Sequence, residues 1–262
     1  MITFKLIAGI FLCAVWFLIV HIIKMFRMYL VLLEKGVEFK RFVFAYCRTT
    51  LINLIIPFKL GEVYRVAVYS KLIKNLGVGI AGVIVDRFFD TLALVLILLP
   101  ILVLYPAKIS MVSVFLIVFV LFIIFVYLMF PSTYKYLNRY IIINRESKRS
   151  MAILHWLELL NVGYEHIRKL IIGRYAIITV MSFGAWVLEG GLLFVIAKLV
   201  KLKFDLLDFS EYITSILSFV HSEVQQKYTL FSIVLMSVLT LITGIAVFIS
   251  SGNKRTKKDG KE

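Results

Sequence analysis

The chain is short of cysteine, histidine, proline and charge, and each shortage narrows what it can be. Its two cysteines, Cys13 and Cys47, both lie inside hydrophobic segments. That excludes a disulfide framework and a thiolate metal site, and leaves both thiols as packing groups. Four histidines, His21, His155, His166 and His221, show no ligand spacing, so no metal is expected. Nothing resembles an ATP-binding loop, and no other cofactor is expected. Only 17% of the 262 residues are charged against 61% hydrophobic, and the mean hydropathy is +0.97. Soluble domains carry far more charge. Water is therefore not the main solvent of this chain.

What is present is a succession of apolar runs. Leu6 to Ile23, Ile109 to Phe130, Tyr175 to Ala197 and Tyr228 to Ser251 approach or exceed the roughly 20 residues that cross a bilayer as a helix. A fifth run, Gly77 to Tyr105, has the length of a span but carries Asp86, Arg87 and Asp90 in its first half. The first run has only Lys5 ahead of it and no small-residue cleavage site behind it, so it is a retained anchor and not a signal peptide. The expected fold is all-α: one polytopic helical membrane domain over residues 1–251, with about five full spans. A basic tail, residues 252–262, is expected to be disordered.

The formal net charge of +15 would suggest nucleic acid in a soluble protein. Here the basic residues gather between apolar runs: ten Lys/Arg from Lys24 to Lys74, eight from Pro131 to Arg174, and five after Ser251. That pattern sets topology and excludes a nucleic-acid partner; it places the three basic regions, and the C-terminus, in the cytoplasm of a multi-pass plasma-membrane protein. The spans then alternate consistently only if residues 42–72 enter and leave on the same side, as a re-entrant helical hairpin. Phe42 to Ile56 is short and polar for a span, carrying Arg48 and Asn53, and it ends at Pro57. Proline disfavours helix at the residue before it, and Gly61 relaxes the backbone beyond it. The basic segment 131–174 is expected either along the membrane surface as amphipathic helices or as a cytoplasmic hairpin packed on the spans. Phe204 to Val220 is expected as an outer-face helix or a second, shallower re-entrant element.

Helical spacing puts Asp86 and Asp90 on one face with Arg87 close to it, and aligns Glu62, Arg65 and Tyr69 on one side of the hairpin's second arm. Ionisable groups inside membrane segments are costly and tend to mark a pathway or ligand site. A helix starting after Pro57 would aim free N–H groups at an anion near the turn, with Lys59 and Arg65 adding attraction. The competing explanation is a set of mutually neutralising structural pairs that fix the hairpin against its neighbour. Glu189, between Trp186 and Gly190-Gly191, is a further intramembrane acid. It would line the same cavity, accept a proton, or accompany a close helix approach made at the glycines.

The pattern N-x-x-x-P-x-x-x-G-E-x-x-R from Asn53 to Arg65, followed by D-R-x-x-D from Asp86 to Asp90, resembles the lysylphosphatidylglycerol synthase transmembrane-region family of flippase-like membrane proteins. The resemblance covers residues 5–105, and beyond them only the succession of spans. It implies a module that handles a lipid with a polar headgroup: an anionic phospholipid, an aminoacyl-phospholipid or a polyprenyl-phosphate-linked glycolipid. Asn53, Pro57, Gly61, Glu62, Arg65, Asp86, Arg87 and Asp90 occupy its motif positions. All of these but Pro57, together with Lys59 and Glu189, form the candidate substrate-binding set. The family's later Gly-x-x-Glu is missing, and Glu223 in Ser218 to Glu223 is its nearest counterpart. The best-known members carry a fused soluble domain that attaches lysine to phosphatidylglycerol, and nothing in these residues corresponds to it. The leading expectation is therefore a non-enzymatic lipid transporter with no catalytic residue. Its rivals are a membrane transferase with Glu62 or Asp90 as general base, and an accessory subunit of glycolipid or cell-surface polysaccharide synthesis. Expected partners are the lipid or lipid-linked substrate, and either a transferase or a second copy of the chain.

Overall fold

In lipid, every backbone N–H and C=O must be satisfied within the protein, so long apolar runs become helices. The computed structural model is accordingly helical, with no strand among the described residues. It describes residues 2–56, 60–105, 111–144, 148–215 and 223–259. The helices are α1 (Ile2–Leu32), α2 (Phe39–Ile55), α3 (Leu60–Ile73), α4 (Leu76–Leu104), α5 (Met111–Asn144), α6 (Lys148–Ile171), α7 (Tyr175–Val200), α8 (Leu206–Ser215) and α9 (Glu223–Asp259). Five are long and apolar enough to cross a membrane: residues Ile7–Leu32, Leu76–Leu104, Met111–Ile143, Tyr175–Val200 and Glu223–Ser250. The expected all-α bundle of about five spans is what forms.

The first span is longer than its uncharged run. No Pro or Gly interrupts the residues after Ile23, and α1 continues to Leu32, carrying Lys24 and Arg27 with it. It packs antiparallel to α7, with Gly9 against Leu199 at one end and the Arg174 guanidinium donating to the Leu30 carbonyl (3.0 Å) at the other. Helix α4 lies beside both, its Gly82 against Leu32 and Met28. Phe17, Met28 and Leu32 of α1, Leu98 of α4, and Leu192 and Leu193 of α7 are fully buried.

Helices α2 and α3 form an antiparallel hairpin. Phe42 stacks on Tyr69 at its open end (5.9 Å between centroids), while Asn53 lies against Gly61 near its tip. Neither arm is among the five spans. Residues Pro57 to Lys59, on which the expected turn and one expected cation fall, lie outside the described residues. A tight link at Lys74 (φ 58°) and Asn75, whose side chain accepts from the Val78 N–H (3.0 Å), turns α3 directly into α4. The two helices therefore run antiparallel, Ser70 beside Gly79 and Arg65 beside Asp86. With 14 residues, α3 is roughly 21 Å long. Its Gly61 end thus lies close to the middle of α4.

Two glycines permit these approaches. A Cβ on Gly61 would fall 2.6 Å from the Asn53 Cα, and one on Gly79 would fall 2.8 Å from both the N and the Cα of Ser70. Because backbone cannot swing away, Gly79→Ala is expected to destabilise the protein by about 1–3 kcal/mol. Denaturant unfolding in detergent micelles measures this as a lowered midpoint. An unchanged midpoint would show that α3 does not lie this close to α4.

Helix α5, at 34 residues, is roughly 51 Å long and outruns a bilayer core of about 30 Å. Helix α6 returns along it, the Tyr164 ring 5.0 Å from those of Tyr127 and Phe130, and also packs on α4. The basic segment thus comprises the end of α5 and a helix packed on two spans. Helix α8 occupies part of the Phe204–Val220 stretch; residues 216–222, including His221, lie outside the described residues. Helix α9 packs on α2 and α7, with Phe44 against Gly244, and stays helical to Asp259.

Candidate functional site

The four-residue spacing of Asp86 and Asp90 gives α4 one acidic face, and both side chains are buried. Such a face is stable only if cations are brought to it. Three helices contribute. From α1, Arg27 donates from Nε to Asp86 Oδ1 (2.9 Å) and from Nη1 to both Asp90 and the Ser182 hydroxyl on α7 (3.0 Å). From α3, Arg65 reaches Asp86 Oδ2 (3.0 Å) and approaches Glu62 (3.7 Å). From α4 itself, Arg87 donates to Asp86 Oδ2 (2.9 Å), with Asp90 at 3.3 Å and Glu62 at 3.6 Å. The Asn53 amide donates to Glu62 (3.2 Å) across the tip of the hairpin. The Glu62–Arg65 side of α3 and the acidic face of α4 thus meet.

Three guanidinium groups, Arg27, Arg65 and Arg87, thus meet three carboxylates, Glu62, Asp86 and Asp90, and the formal charges cancel. Burial is uneven. Arg27 and Asp86 are buried to within 1%, whereas the side chains of Arg87 and Glu62 are 42% and 21% exposed. The network is also not saturated: Glu62 Oε2, Arg65 Nε and Arg87 Nε are shielded atoms without a hydrogen-bond partner. It is anchored on its closed side and leaves one arginine and one glutamate reachable from outside.

Glu189 does not join this group directly. It pairs with Lys24 and accepts hydrogen bonds from Tyr212 on α8 (3.1 Å) and Tyr228 on α9 (3.0 Å). This second cluster ties four helices to one carboxylate. Trp186 links the two clusters: its indole N–H donates to Asp90 (3.0 Å), and the Lys24 ammonium lies over its ring, 4.7 Å from the centroid.

Of the sequence-derived set, Asn53, Gly61, Glu62, Arg65, Asp86, Arg87 and Asp90 come together. Glu189 sits in the adjoining cluster, and Lys59 lies outside the described residues. Sequence reasoning missed Lys24 and Arg27 by counting them with the loop cations that set topology. Their three-residue spacing within an unbroken apolar stretch was the available signal. Trp186, Tyr212 and Tyr228 gave no such signal, since their partners are distant in sequence.

Five apolar helices of spanning length, with a charge-balanced ionic network set among α1, α3, α4 and α7, define a polytopic α-helical membrane protein. The chain belongs to the lysylphosphatidylglycerol synthase TM region family, whose profile matches residues 1–220. The family match thus extends well past residue 105, where likeness by motif ended, and takes in α5, α6, α7 and α8. No curated protein and no solved structure matches the chain.

Proposed function

We propose that the protein is a flippase-like lipid transporter that admits a phosphate-bearing headgroup to the open side of the ionic network. The carrying observation is Arg87. Its side chain is 42% exposed while three carboxylates hold it in place. A phosphate oxygen would accept from that guanidinium at little cost in reorganisation. Glu62 beside it would meet an amine on the same headgroup. Because the network is formally neutral, a headgroup bringing both a phosphate and an amine disturbs its balance least, which favours an aminoacyl-phospholipid over a purely anionic one. Arg27, Asp86 and Asp90 would hold the site in shape.

The hairpin's position supports a re-entrant reading. Its open end lies beside the start of α4 and its Gly61 end near the middle of that span. The bias of basic residues supports a plasma-membrane protein with the hairpin entering from the cytoplasmic side and the C-terminus on that side. The test is headgroup translocation in proteoliposomes, comparing phosphatidylglycerol, an aminoacyl-phosphatidylglycerol and a polyprenyl phosphate with protein-free vesicles. Acceleration of at least one by tenfold or more is expected. If none moves faster than in empty vesicles, the transport reading fails; a chemically altered lipid would instead identify a transferase with Glu62 as base.

A further inference from the structure

On the same pair of helices, towards their C-terminal ends, a second and wholly different site lies open. Between the second half of α4 and α7, with α8 as its third wall, is an apolar cavity of about 520 Å³. Ile97, Pro100, Val187, Gly190, Phe194 and Phe209 are among its lining residues, and Asp205 is the one charged residue among the described residues of its wall. Gly190 and Phe209 meet where α8 leans on α7; a Cβ at Gly190 would come within 2.9 Å of the Phe209 ring. The missing side chain lets α8 form the wall.

Three lysines stand beside the cavity. The Lys198 ammonium lies 4.8 Å from the centroid of the lining residue Phe194. Lys201 and Lys203 stand exposed in the linker that leads into the lining residues Phe204, Asp205 and Leu206. Two of the acids on this segment, Asp205 and Asp208, cap α8. Asp205 accepts from the N–H groups of Leu207 (2.8 Å) and Asp208 (3.0 Å), and Asp208 accepts from the Asp205 N–H (2.7 Å). Lys198, Lys201 and Lys203 are all exposed, where an anion from outside can reach them.

We infer that this cavity holds one hydrocarbon chain of an anionic membrane lipid, whose head is met by Lys198, Lys201 and Lys203. At roughly 30 Å³ per water-sized group, the volume takes on the order of fifteen methylenes: one chain and not two. A lipid tail gains little by leaving other tails for an apolar wall, so the cavity provides the place and the lysines decide which lipid occupies it. The site lies at the end of α4 and α7 opposite the hairpin. A lipid handled at the ionic network thus has a second station for its tail on the same two helices. The inference deepens the lipid-handling reading and rests on it.

The test uses the full-length protein in nanodiscs of phosphatidylcholine containing a trace of photoactivatable phosphatidylglycerol with a diazirine on its chain, against the matching phosphatidylcholine probe. Label should map to residues 183–194 and 96–104, with the anionic probe favoured at least fivefold. Val187→Trp, which fills the cavity, should cut that labelling at least fivefold, as should Leu96→Trp from the facing wall; either serves if the other does not fold. Lys201→Gln with Lys203→Gln should remove the preference for the anionic probe while labelling by the zwitterionic one persists. Equal labelling by both probes, or labelling indifferent to both tryptophans, would mean ordinary surrounding lipid and would overturn the inference. Because labelling reads occupancy without turnover, a protein that moves no lipid but labels selectively defeats only the transport reading. One that moves lipid without selective labelling defeats only this site.

Discussion

Replacing Arg27 with methionine is expected to cost about 3 kcal/mol of stability, the lower end of what removing one partner of a buried ion pair entails. Arg27 is 1% exposed and donates to Asp86, Asp90 and Ser182. Methionine fills much of its volume, so the loss is electrostatic and not a cavity. Asp86 would keep Arg65 and Arg87, and Asp90 would keep Arg87 and the Trp186 indole. The network would nevertheless pass from balance to a net charge of −1 at its buried end, where Arg27 and Asp86 lie. Adding Asp90→Asn restores neutrality, so the double variant should recover at least half of the lost stability. Denaturant unfolding in micelles reads both. Additive losses in the double variant would show that charge balance is not what Arg27 supplies.

The second large effect is expected at Glu189. Leucine there strands the Lys24 ammonium and leaves two buried tyrosine hydroxyls, on Tyr212 and Tyr228, without their acceptor. An unmet buried polar group costs about 1–3 kcal/mol, and a stranded charge more. Glu189→Leu should therefore lose about 3–5 kcal/mol. Glu189→Gln removes the same charge beside Lys24 but keeps a carbonyl oxygen for the two tyrosines, so its loss should be about 1–3 kcal/mol smaller. Unfolding midpoints separate the two. Equal midpoints would mean that the hydroxyls do not depend on this carboxylate.

Much of the fold was legible because a bilayer allows few answers. Five apolar runs became five spans, and the charges at Asp86, Arg87 and Asp90 marked α4 as the helix that faces a polar partner. The break between the two antiparallel helices α2 and α3 was legible from Pro57 and the short polar arm before it. The i, i+3 and i, i+4 spacing within Glu62–Arg65 and Asp86–Asp90 gave each stripe its face. What the spacing could not give was the third contributor. Lys24 and Arg27 follow Ile23 directly, and cations flanking an apolar run serve equally as topology signals or as buried partners. Only the continuation of α1 to Leu32 decides between the two. Glu189 stood out as an isolated acid, yet its partners lie 165, 23 and 39 residues away. Neither composition nor periodicity encodes contacts of that kind.

The most direct measurement pairs transport with stability in one variant, Arg87→Gln. Arg87 is the most exposed member of the network, and the buried carboxylates Asp86 and Asp90 keep Arg27 whether or not it is present. If the open side of the network receives the headgroup, lipid translocation in proteoliposomes should fall at least tenfold while the unfolding midpoint, measured on the same preparation, shifts by an amount equivalent to about 1 kcal/mol or less. Translocation at the wild-type rate with Arg87 gone, or a loss of stability large enough to explain the loss of transport, would contradict that account and leave the six charges holding only one another.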